Sequence, residues 1–106
     1  MHDMKWSESE KKLARRVFEG ALAAELAETI ADFKARAAAV KAPDDMWEIE
    51  ERLRNKRLEI DRKYDYRYSQ LIFVFGRLLR EGRVQEAQLA GLSEEKLDGI
   101  RRVASL

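Results

Sequence analysis

Between Met46 and Gly82 the apolar residues recur as Met46, Ile49, Leu53, Ile60, Tyr64, Tyr68, Leu71, Phe75 and Leu78, in steps of three, four or seven. The stretch holds no proline, and Gly76 is its only glycine before the end. This is helical spacing sustained for about ten turns, and it predicts one helix from about Asp44 to Glu81. At about 1.5 Å rise per residue such a helix is roughly 57 Å long, whereas a compact chain of this size has a radius of gyration of about 13 Å. It therefore needs a partner. Its C-terminal part, Leu71 to Leu79 (LIFVFGRLL), is apolar on nearly every face, and a helix apolar all round is buried on several sides. One short hairpin lacks that many sides, so the pattern predicts a homodimer with Leu71, Phe75 and Leu78 at its interface.

Upstream, Ser7-Glu8-Ser9-Glu10 has the form of a capping box. From it Leu13, Val17, Ala21, Leu26, Ile30, Phe33, Ala37 and Val40 trace a second long helical stripe, rich in helix-favouring alanine. The stripe stops at Lys41-Ala42-Pro43, because proline disfavours helical geometry in the residue before it. Asp44 or Asp45 then caps the next helix, and the short connection makes the two helices antiparallel neighbours. Gly82 ends the long helix as a left-handed cap. A helical turn is expected around Val84 to Leu89. Ser93 caps a last helix with Glu94 and Glu95 at its positive end and Leu97, Ile100 and Val103 along its apolar edge. Tyr64, Tyr66 and Tyr68 alternate as in a strand, but three positions do not outweigh the flanking helical spacing. Residues 1–106 thus read as a single all-α domain: a long two-helix hairpin plus short C-terminal helices, assembled as a helical homodimer.

Composition narrows the function classes. Charged residues make up 39% of the chain, yet the formal net charge is +1, which argues against a dedicated nucleic-acid protein with its one-sided basic excess. The absence of cysteine excludes disulfides and thiol chemistry. The residues after Met1 run into charge rather than an apolar core, unlike a signal peptide. The dense apolar run Leu71 to Leu79 falls far short of the roughly 20 residues a membrane span needs. The expectation is a soluble, cytoplasmic protein.

Candidate chemistry is sparse. His2 is the only histidine and lies near a terminus, so neither a histidine base nor a His/Cys zinc site is expected, and no metal or other cofactor is. Five scattered glycines form no phosphate-cradling loop. Glu48 with Arg52, Glu50 with Arg54, and Glu59 with Lys63 stand at i,i+4 with the acid first, so the default for this region is a solvated helix laced with weak ion pairs. Phe73, Phe75, Tyr64 and Tyr68 fall on or beside the apolar stripe and read as core. Trp47 stands among Asp45, Glu48, Glu50 and Glu51. By sequence it either packs under the end of the first helix or lies exposed as a binding anchor.

Asp44-Asp45-Met46-Trp47, Glu59-Ile60-Asp61, Lys63-Tyr64-Asp65-Tyr66-Arg67-Tyr68-Ser69 and Leu71-Ile72-Phe73-Val74-Phe75 resemble the fluorescence recovery protein family of cyanobacteria, and the likeness runs from Trp6-Ser7 to Lys96-Leu97. The resemblance implies a small all-helical homodimer without enzymatic activity. It also implies binding of the light-activated orange carotenoid protein, faster return of that protein to its orange form, and an end to quenching at the phycobilisome. On the same resemblance the partner-binding surface maps to Trp47, Glu50, Glu51 and Arg57. The chain departs from the family pattern at Glu50, where histidine is expected, at Glu51, where aspartate is, and at Gly99, where a basic residue is.

Three functional readings follow. The first is a dimeric regulator of the fluorescence recovery type. The second is a homologue from a bacterium without the carotenoid photoswitch, keeping the dimer but serving an unknown protein partner. The third is a nucleic-acid binder using Arg52, Arg54, Lys56, Arg57, Arg62, Arg67 and the tyrosines, against which the interleaved acids weigh.

Overall fold

A computed structural model describes residues 5–106; His2 and the segment around it lie outside the described residues. Four α-helices follow in order, α1 (Glu8–Ala38), α2 (Pro43–Lys63), α3 (Leu71–Arg80) and α4 (Glu94–Ala104), with a 3-10 turn at Glu86–Leu89. No strand occurs among the described residues; one isolated bridge joins Ala90 and Leu92. The fold is all-α, a helical hairpin with short C-terminal helices.

The predicted boundaries hold where a cap makes them. Ser7 Oγ accepts from the Glu10 amide at 3.1 Å while Glu10 accepts from the Ser7 amide at 3.0 Å, the reciprocal bonds of a capping box. Pro43 is itself the first residue of α2, where its missing N–H costs nothing. The Asp45 carboxylate accepts from the Lys41 and Ala42 amides at 2.9 and 3.0 Å, which hold its pKa below the usual carboxylate value. Gly82 has φ of 75° and closes the end of α3. Ser93 caps α4 by accepting from the Lys96 amide.

The single helix predicted from Asp44 to Glu81 is two helices. The chain leaves helical geometry after Lys63 and regains it at Leu71. Neither proline nor glycine breaks it; aromatic packing does. Phe18 meets the edges of Tyr64 and Tyr66 at centroid distances of 5.5 and 4.8 Å. The Arg15 guanidinium lies 4.0 Å over Tyr66, and Trp6 meets Tyr68 at 5.7 Å. Tyr64 Oη also donates to the Ala21 carbonyl at 3.3 Å. Asp65 and Arg67 pair through their side chains, a contact that residues two apart do not make on a helix. Residues 64–70 are neither helix nor strand, and tertiary contacts override the helical spacing around them.

The chain divides into two compact units, one made of residues up to Leu22 with Tyr64–Leu106, the other of Ala23–Lys63. The first holds the core: Leu13, Ala14, Val17 and Phe18 from α1, Leu71, Val74, Phe75 and Leu78 from α3, and Val84, Leu89, Leu92 and Ile100 beyond. Leu71, Phe75 and Leu78 are fully buried here within one chain. This corrects their assignment to a dimer interface, because α1, the 3-10 turn and α4 supply the sides that one hairpin was thought to lack. Close approach of α3 and α4 rests on glycine: a Cβ at Gly76 would overlap Val103, and one at Gly99 would stand 3.1 Å from Ile72 Cγ2. Gly99 therefore packs rather than reaching outward. Phe73, expected in the core, is 49% exposed, and Tyr68 is likewise partly open.

The second unit is the hairpin of α2 with the later part of α1. Its seam carries a buried ionic cluster. Glu25 and Lys63 bond at 2.6 Å, each side chain 1% exposed, and Lys56 reaches the same carboxylate at 2.7 Å. Glu59 joins from 3.6 Å to Lys56 and 4.0 Å to Lys63. The predicted Glu50–Arg54 pair forms at 3.5 Å, but Arg52 reaches Asp32 at 3.7 Å in place of Glu48.

Candidate functional site

The side chains assigned to partner binding all belong to α2, which Pro43 and Asp45 start cleanly and which runs unbroken past Arg57. At about 100° per residue, Trp47, Glu50, Glu51, Arg54 and Leu58 fall on one side of it. Trp47 is 63% exposed, so of the two readings open for it the structure excludes packing under the end of α1. An exposed indole is an uncommon way to leave so large an apolar group, and aromatic anchors are enriched where proteins bind one another.

Glu50 and Arg57 line one shallow groove of about 510 Å³, whose apolar part is Met46, Ile49 and Leu53. Glu50 is engaged by Arg54 at 3.5 Å, whereas Arg57 makes no ion pair among the described residues and is exposed. The groove thus presents an apolar strip, a neutralised pair and one uncommitted guanidinium, whose planar fork suits a carboxylate. Trp47 and Glu51 are not part of its lining. Leu71, Phe75 and Leu78 lie in the other unit, buried.

Sequence reasoning missed two features. One is the buried Glu25–Lys63 pair; the available signal was a lone acid inside the apolar run Ala21 to Ala27. The other is the row Leu26, Ile30 and Phe33 on α1, which spacing joined to Leu13 and Val17 in one stripe and which is exposed on the chain. Among the described residues no cluster of His, Cys, Asp and Glu is arranged to hold a metal ion, and no helix is long and apolar enough to cross a membrane. What the surface offers is recognition: exposed apolar residues edged by charges.

Comparison with known proteins agrees over nearly the whole chain. Residues 6–104 match the family model described as photoprotection regulator fluorescence recovery protein. The chain is 41% identical over 101 residues to the fluorescence recovery protein of Synechocystis sp. PCC 6803, covering 95% of this chain and 93% of that protein. The solved structure of the Fremyella diplosiphon fluorescence recovery protein is similar, with a TM-score of 0.92 and 35% identity over 96% of this chain and 100% of its own. The solved Synechocystis structure gives the same TM-score and coverage at 40% identity. The chain belongs to the fluorescence recovery protein family of photoprotection regulators.

Proposed function

We propose that this member of the fluorescence recovery protein family is a non-enzymatic, cytoplasmic, dimeric regulator that binds the photoactivated orange carotenoid protein. It accelerates return to the resting orange form and so ends quenching at phycobilisomes. The family match over residues 6–104 carries this reading. The exposed Trp47 and the unpaired Arg57 on α2 support it, as an anchor and as a partner for an acidic group. Such a regulator works by binding one conformation of its target, or the barrier between two, better than the other.

The dimer is assigned to the hairpin unit. Leu26, Ile30 and Phe33 of α1 and Met46 and Leu53 of α2 are large apolar residues exposed on the single chain, and apolar rows of that kind mark protein–protein contacts. Light scattering tests it against the 12.4 kDa chain mass.

Dark-recovery rates of photoactivated carotenoid proteins, with and without this chain, test the activity. Acceleration is expected, weakened by Trp47→Ala and by Arg57→Lys. Acceleration untouched by both substitutions removes the proposed surface. Glu50 supports a second reading, a homologue with the same dimer but another protein partner, because an acid stands where the family pattern has a titratable ring. Absence of binding to every carotenoid protein tried would favour it.

A further inference from the structure

We infer that Met46 is an oxidation site governing assembly: its conversion to the sulfoxide by a peroxide shifts the chain from dimer to monomer. This rests on the dimer reading above. The chain has no cysteine, so a thiol cannot report oxidant. Of its three methionines only Met46 lies among the described residues. It sits in the first turns of α2 with 47% of its surface open, and with Ile49 and Leu53 it forms the apolar strip of the groove. Its side chain is thus both open in the single chain and part of the surface that a second copy would cover.

The chemistry balances without a cofactor. A sulfur lone pair attacks one oxygen of hydrogen peroxide, the O–O bond breaks as the S–O bond forms, and the proton of the transferred oxygen passes to the departing hydroxide, which leaves as water. The thioether is oxidised by two electrons as the peroxide is reduced. The product replaces a flexible apolar group by a polar, chiral one, and burying an unpaired sulfoxide oxygen in an apolar contact is unfavourable. Since the dimer covers the sulfur, oxidation proceeds through the monomer and leaves the chain there. Reduction of the sulfoxide reverses the change.

The test uses the full chain over a range of concentrations spanning its dimer dissociation, with hydrogen peroxide as oxidant. Mass spectrometry follows oxygen addition on the Met46 peptide, and light scattering follows molecular mass. The Met46 oxidation rate is expected to fall as concentration rises. The oxidised chain should dimerise at least about tenfold more weakly, equivalent to roughly 1.4 kcal/mol, and methionine sulfoxide reductase should restore it. For Met46→Leu the dimer dissociation measured before and after the same treatment should be equal, although Met1 and Met4 remain oxidisable. A rate independent of concentration, an oxidised chain that dimerises normally, or an equal loss of dimer in oxidised Met46→Leu each overturns the inference. A chain that is monomeric at every concentration before oxidant is added overturns the dimer reading itself, and this inference with it.

Discussion

Lys63, the last residue of α2, bonds to the Glu25 carboxylate of α1 at 2.6 Å with both side chains withdrawn from water. The pair stands one residue before the chain leaves helical geometry, so it pins the end of the hairpin where the tyrosine segment begins. Its worth lies less in net stability than in what breaking it does, because removing one partner leaves the other charge buried. Lys63→Ala is expected to destabilise the chain by about 3 kcal/mol, since Lys56 keeps one bond to Glu25. Replacing both residues by leucine should cost markedly less. Urea midpoints of the two variants check this; equal losses would mean that the charge is not stranded.

A second buried ion pair gives the fold an acid limit. Burial alone would raise the pKa of Glu10, but its bonds from the Ser7 and Ser93 amides and from the Lys96 ammonium lower it by more, leaving it below the ordinary 4.5. A depressed carboxylate contributes stability above its unfolded pKa and loses it as pH falls through the folded one. Glu10→Gln should therefore be less stable at neutral pH and show a flatter loss of stability below about pH 4.5. Thermal melts between neutral and acid pH measure the slope.

Two glycines should respond with opposite sign. Gly76 lets α3 meet Val103 and the Ile100 carbonyl of α4, so Gly76→Ala overpacks the contact and should cost about 1–3 kcal/mol. Gly20 lies inside α1 with nothing within 4 Å of an added Cβ. Gly20→Ala should stabilise the chain by about 0.5–1 kcal/mol. Chemical denaturation of both variants decides the matter, and a stable Gly76→Ala would show that α4 gives way easily.

Assembly and folding should separate by position. Phe33→Glu or Leu53→Glu, at residues exposed on the single chain, should yield folded monomers. Leu71→Glu or Phe75→Glu, at fully buried positions, should unfold the unit around α3 because a charge there has no partner. Circular dichroism with light scattering distinguishes the two results. Folded monomers from Leu71→Glu would return the interface to α3.

Much of this protein was legible in the order of its residues. Local stereochemistry acts over three or four positions, so the capping box at Ser7, a helix start close to Pro43, the left-handed Gly82 and the Ser93 cap could all be read directly. The all-α class followed from the spacing, and the family from the segment around Tyr64 to Phe75. Trp47 and Arg57 were picked out by likeness, and their openness on α2 came only with the structure. Spacing could not decide which of several apolar rows would be core. Leu26, Ile30 and Phe33 carry the same periodicity as Leu13 and Val17, yet only the latter are buried in the core. Nor could it foresee the end of α2 at Lys63, where no breaker stands. That end exists because Phe18, Trp6 and Arg15, some fifty residues away in sequence, hold the rings of Tyr64, Tyr66 and Tyr68 outside helical geometry. Side-chain contacts across such distances outweigh the small helical preferences of seven residues, and only the tertiary structure brings them together.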